Sequence, residues 1–101
     1  MVNEKYSIVW TKSSQQQLKH AFDYISEDSP KNAHKVIEDI YAAVNKAISN
    51  PEIYGPDKYK MNNDGSYRAF EKHRYRISYR FTNNIILVLR VRHTSRNPKS
   101  Y

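Results

Sequence analysis

RYRISYRFTNNIILVLRVRH, residues 74–93, decides the fold of this chain. Tyr75, Ile77, Tyr79 and Phe81 alternate with Arg74, Arg76, Ser78 and Arg80, so an apolar strand face backs a basic one. After Thr82-Asn83-Asn84 the run IILVLRVRH returns as a second strand, and the pair reads as a hairpin. A two-residue loop would set Arg90 against Ile77 and Arg76 against Val91, mixing charge into both faces. A three-residue loop keeps the faces clean: Phe81 opposes Ile85, Ile77 opposes Leu89, Tyr75 opposes Val91, Arg76 opposes Arg90 and Arg74 opposes Arg92. The sequence therefore predicts the three-residue loop, with Asn84 in the left-handed region that asparagine tolerates. Arg74, Arg76, Arg90 and Arg92 then crowd one face. Like-charged cross-strand pairs cost a few tenths to about 1 kcal/mol each. Either the face is solvated and its charges block edge pairing, or a bound polyanion offsets the repulsion.

Outward from the hairpin, Lys5–Trp10 alternates with Tyr6, Ile8 and Trp10 on one side and predicts a first strand. From about Thr11 to Glu27, Leu18, Ala21, Phe22 and Ile25 fall at helical spacing. Ser29-Pro30 is an N-cap followed by proline at the first helical position. It opens a second helix to about Ser49, with Ala33, Val36, Ile37, Ile40, Val44, Ala47 and Ile48 inward, and Asn50-Pro51 stops it. A loop with Pro51, Gly55 and Pro56 leads to short strands near Asp57–Met61 and Tyr67–Phe70. The class is α+β: an N-terminal strand, a two-helix hairpin, then a mostly antiparallel sheet with helices on one face and a basic opposite face. Residues 1–101 form one domain, with 93–101 as a polar tail.

A chain of 101 residues buries about two-thirds of its unfolded surface in a single core. It has no cysteine, which excludes a disulfide scaffold and suits a reducing cytoplasm. The apolar run IILVL is too short to span a bilayer and MVNEKYS has no apolar signal region, so a cytoplasmic protein with no membrane partner is expected. Charge is segregated. Residues 1–57 hold six lysines against eight acids, net −2, and residues 58–101 hold eleven lysines and arginines against two acids, net +9. All seven arginines lie in the second half. Lysine would serve solubility equally well, so the bias points to planar recognition of phosphate or carboxylate.

DYISEDSP (23–30), NPEIYG (50–55), YRAF (67–70), YRISYRF (75–81) and IILVLRVRH (85–93) together resemble the RelE/ParE family of type II toxin–antitoxin toxins, in order and spacing, through nearly the whole chain. The resemblance implies a small toxin of a plasmid-stabilisation type system, held inactive by a short, acidic, partly disordered antitoxin, with no cofactor and no metal. RelE-like members cut mRNA in the ribosomal A site; ParE-like members poison DNA gyrase without catalysis of their own. DYISEDSP and VLRVRH look more like ParE. Arg76 matches the arginine of the ribonucleases' YR-x-x-Y strand, Arg68 their basic residue after a tyrosine, and Tyr101 their C-terminal tyrosine. Phe70 stands where RelE has a second lysine, and His93 is the substitute.

Metal-free RNA cleavage uses the RNA's own 2′-OH, so the protein orients the backbone, stabilises the phosphorane and moves protons. On that reading the catalytic set is Arg76, His93, Tyr101 and Arg68, with Tyr101 lowered in pKa by the arginines around it. Arg74, Arg90, Arg92, Arg96, Lys58 and Lys60 contact nucleic acid. A hydrogen-bonded structural histidine and a packed terminal tyrosine are the bland alternatives. His20, His34 and His73 have no metal-ligand spacing. The leading expectation is thus a ribosome-dependent mRNA endoribonuclease (an mRNA interferase) that inhibits translation, acting on the ribosome and mRNA. The alternatives are a gyrase inhibitor and a non-toxic nucleic-acid-binding module. The tail should lie over the basic face with Arg96 and Tyr101 reaching the substrate, and Arg76→Ala should change stability little.

Overall fold

The structure, a computed structural model, describes residues 6–101. Its elements are β1 (Ser7–Trp10), α1 (Lys12–Ser26), α2 (Pro30–Asn45), a 3₁₀ turn (Lys46–Ile48), β2 (Tyr67–Lys72), β3 (Tyr75–Thr82) and β4 (Ile85–His93). Lys5, the expected start of the first strand, lies outside the described residues. The sheet order is β1-β4-β3-β2, with β1 parallel to β4 and the other pairs antiparallel. This is the α+β arrangement the sequence predicts. Among the described residues no helix is long and apolar enough to cross a membrane.

Each helix begins where its cap stands. Thr11 Oγ1 accepts from the Ser14 N–H (3.0 Å) and Ser29 Oγ accepts from the Asn32 N–H (3.1 Å), each satisfying an otherwise orphaned donor. Leu18 and Ala21 of α1 and Val36, Ile40, Val44 and Ala47 of the second rod pack on Phe70, Ile77, Tyr79, Ile86, Val88 and Val91 of the sheet. Burying each large apolar side chain contributes about 1.5–3 kcal/mol. Phe22 meets His34 edge-on across the two helices. The 50–56 loop is tied to this core by two phenols: Tyr54 donates to the Ala43 carbonyl (2.7 Å) and Tyr79 to the Pro51 carbonyl (2.6 Å).

The central hairpin departs from the expected register. Its loop has two residues, Asn83 (φ 48°) and Asn84 (φ 63°), both left-handed as a tight type I′ turn requires. Phe81 faces Ile86 and Tyr79 faces Val88; beyond them Ser78 faces Arg90, Ile77 faces Val91 and Arg76 faces Arg92. The shift leaves Leu89 as an extra residue on β4, a β-bulge. One added residue flips the parity, so both faces stay clean with the short loop. The bulge sits where β1 ends, and Thr11 donates there through its N–H to the Val88 carbonyl (3.1 Å).

Two further expectations fail. The segment Asp57–Met61 is not a strand: only an isolated Pro56–Arg68 bridge forms. The Asp57 carboxylate instead accepts from the Tyr59 N–H (3.0 Å), and the Asp57 carbonyl from the Lys60 N–H (3.1 Å), closing turns in place of a ladder. Arg74 is also not a strand residue. With His73 (φ 51°) it makes the left-handed two-residue turn between β2 and β3 (Arg74 φ 68°) and stands exposed.

Candidate functional site

The sheet face away from the helices carries Arg76, Ser78, Arg80, Arg90 and Arg92, with Tyr67 beside Arg80. Arg76 is not left to repel its neighbours. Its Nη2 donates to Asp57 Oδ1 (3.0 Å), its Nη1 reaches Glu71 Oε2 (3.4 Å), and its side chain is only 18% exposed. Asp57 is buried, 1% exposed, and gathers two more donors: the Tyr101 hydroxyl on Oδ2 (2.6 Å) and the Tyr59 N–H on Oδ1. Burial alone would raise the Asp57 pKa; the bonds from Tyr101, Arg76 and Tyr59, with the Arg76 charge, outweigh it and hold the carboxyl below its ordinary value. The compensating anion expected for this face is therefore supplied, at Arg76, by the chain itself.

The tail crosses this face. Tyr101 pairs through its backbone with the 59–61 turn, its N–H donating to the Tyr59 carbonyl (3.0 Å) and its carbonyl accepting from the Met61 N–H (2.6 Å). The Arg90 guanidinium lies 4.0 Å from the Tyr101 ring centre and Arg90 Nη2 donates to the Lys99 carbonyl (2.9 Å). Tyr67 meets the Tyr101 ring edge-on, and Lys60 lies over both rings. Burial and the Asp57 carboxylate push the Tyr101 phenol well above its ordinary pKa. The expected lowering by Arg90 is present but is outweighed, by burial first and then by the Asp57 carboxylate. Beneath the tail Arg76 Nε and Arg90 Nε are buried with no hydrogen-bond partner among the described residues. A small cavity of about 90 Å³ there is lined by Arg76, Arg90, Arg92, Arg96 and Lys99 among others.

The other expected site residues make no hydrogen bond to the Asp57 carboxylate. Arg68 pairs with Tyr79, on the helix-packed side of the sheet. It donates to the Gly65 carbonyl (2.8 Å), the Tyr54 carbonyl (3.1 Å) and Glu52 Oε2 (3.2 Å), so it fastens loops and does not join Arg76. His93 pairs with Tyr75, whose ring it meets edge-on at 5.1 Å, and it also lines the small cavity beside Arg76. Its Nδ1 accepts from the Ser95 N–H (3.0 Å), which places the proton of the neutral ring on Nε2. Arg92 is half-buried, Arg96 exposed, and Lys58 exposed in a turn with its ammonium beside Tyr59. Of the four residues read as catalytic, Arg76 and Tyr101 converge on Asp57, and Arg76 shares the lining of the small cavity with His93, while Arg68 stands apart. Sequence reasoning passed over Asp57, Tyr59 and Tyr67. The only available signal was that Asp57 stands at the edge of a region otherwise nearly free of acids. Among the described residues no group of three or more acids or histidines is placed to hold a metal.

The family described as "ParE toxin of type II toxin-antitoxin system, parDE" matches residues 8–98. The chain belongs to this ParE toxin family. That membership sets aside the non-toxic binding module. Two solved structures share the fold. One, the chromosomal ParDE toxin–antitoxin system of P. aeruginosa, superposes with a TM-score of 0.69 at 20% identity, over 87% of this chain and 95% of that one. The other, the RelBE2 toxin–antitoxin complex of Mycobacterium tuberculosis, gives 0.55 at 17% identity, over 88% and 98%. No curated protein sequence matches the chain significantly.

Proposed function

We propose that this ParE-family toxin arrests growth by binding DNA gyrase and catalyses no reaction of its own. The observation that carries the reading is the Asp57 cluster. A ribonuclease of this fold needs its strand arginine free for the developing phosphorane charge and its tyrosine able to exchange a proton. Here the arginine is paired with a buried carboxylate, and the tyrosine hydroxyl is committed to the same carboxylate with its pKa raised. Arg68 stands on the opposite face of the sheet. The family match and the solved ParDE relative support the same choice, and a cognate antitoxin is the natural partner of a chain whose second half carries a net +9.

His93 favours a second reading, ribosome-dependent mRNA cleavage. Its Nε2–H has no partner among the described residues and Arg92 is adjacent in sequence. One pair of assays separates the two. Purified toxin should inhibit supercoiling by purified gyrase and accumulate cleaved gyrase–DNA complexes, and antitoxin should relieve both effects. Primer extension on a translated message should show no new A-site 3′ ends. A-site cuts made by the wild type and lost in His93→Ala, with gyrase unaffected, would overturn the gyrase reading.

A further inference from the structure

β1 ends at the Trp10–Val88 pair, so the last five residues of β4 have no strand on that side. α1 runs along this open edge instead, and Gln17 Oε1 takes the Val91 N–H (2.7 Å) that a strand would have taken. Because a helix does not lie as close as a strand, a groove of about 510 Å³ remains between α1 and the end of the sheet. It opens on the helix side of the sheet and shares Arg92, His93 and Arg96 with the small cavity beside Arg76 and Arg90.

Its lining is unusual for a groove left by packing. Gln17, His20, Ala21 and Tyr24 follow one another at helical spacing and present one face of α1. Tyr75 and Val91 form the floor and Arg92, His93 and Arg96 the opposite wall. Two guanidiniums and two imidazoles meet no carboxylate among the lining residues. Tyr24, from the DYISEDSP stretch, is 68% exposed, a large ring on a helix surface with no aromatic or ionic partner among the described contacts. Burial, and to a lesser extent Tyr24, raises the pKa of the Tyr75 phenol and Arg96 opposes the shift; all three line the groove.

One exposed tyrosine ring above a second, largely buried one, beside an arginine and in a pocket of small-molecule size without acids, is complementary to a planar ring that carries phosphate. We infer that the groove between α1 and the free edge of β4 binds a free mononucleotide, its base against Tyr24 above the Tyr75 floor and its phosphate on Arg96, at the rim where Arg92 crosses to the other face. The inference does not rest on the gyrase reading and is read by binding alone.

The test is titration of the full-length chain with the four nucleoside 5′-monophosphates, followed by NMR shifts of the tyrosine and histidine rings and by calorimetry. At least one monophosphate should bind with submillimolar affinity and shift Tyr24, Tyr75 and His20, and the matching nucleoside and inorganic phosphate should each bind at least tenfold more weakly. Tyr24→Ala and Arg96→Gln, both at exposed positions, should each weaken binding about tenfold while the melting temperature is unchanged. Binding no tighter than that of inorganic phosphate, shifts confined to the Arg90–Tyr101 side, or full affinity in Tyr24→Ala would overturn the site. Tighter binding of a short single-stranded oligonucleotide than of its monomer would overturn the free nucleotide as its ligand.

Discussion

Replacing Asp57 by Asn should destabilise the toxin strongly although no shape is lost. Asp57 is 1% exposed and its two oxygens serve three donors: Arg76, the Tyr101 hydroxyl and the Tyr59 N–H. An amide offers one oxygen in place of two, forces the Tyr101 hydroxyl to accept where it had donated, and leaves Arg76 without its counter-charge. Removing one partner of a buried ion pair costs about 3–5 kcal/mol. Arg76 keeps some solvent and the longer contact to Glu71, so the low end, about 3 kcal/mol, applies. With a urea m-value of about 1.5 kcal/mol/M, the midpoint should fall by about 2 M. Trp10, the single tryptophan, reports the transition. The pH dependence gives a second, independent signature. Burial raises the Asp57 pKa but its donors lower it further, so the folded value lies below the unfolded one. Stability from the group is complete above the ordinary carboxylate value near 3.8 and is lost as pH falls through the lower folded value. The gap between wild type and Asp57→Asn should therefore be widest at pH 7 and narrow below about pH 4. Arg76→Ala should also destabilise, by about 1.5–3 kcal/mol, because it strands the carboxylate, in contrast to the small change expected from the sequence. The double substitution should cost less than the sum of the two. A midpoint shift under about 0.5 M, or a gap that does not shrink at all as the pH is lowered below about 4, would refute the cluster as described.

Two smaller changes test the elements around it. Tyr101→Phe keeps the Arg90 stack and removes the bond to Asp57. It should cost about 1–2 kcal/mol in urea unfolding, and a tail that does not dock would show no loss. Asn84→Val forces a β-branched residue into φ 63° and should cost about 1–2 kcal/mol; an unchanged midpoint would mean that the hairpin does not close through a left-handed pair.

The hairpin shows where the sequence could be read and where it could not. Both strands of residues 75–93 were legible because side-chain alternation is local, and the helices were legible for the same reason, through their stripes and the Ser29-Pro30 start. The loop length was misread because parity was carried across the whole ladder as if it were unbroken. The bulge at Leu89 breaks it, and its place is set by where β1 turns into α1, contacts almost eighty residues away along the chain. No period in residues 74–93 could announce it. Asp57 was missed for a related reason. In sequence it is one acid in a turn; only the return of Tyr101 and the packing of Tyr59 exclude water from it and make its charge count. The same contacts explain how arginine can be tolerated on so stiff a sheet. Arg76 faces Arg92 directly, yet the carboxylate under Arg76 and the ring and carbonyl over Arg90 come from segments outside the hairpin. The charge pattern of the strands is set locally, and its stability is set by a loop and a tail. A search for functional residues within the strands alone therefore finds the cations and misses the group that decides what they are free to do.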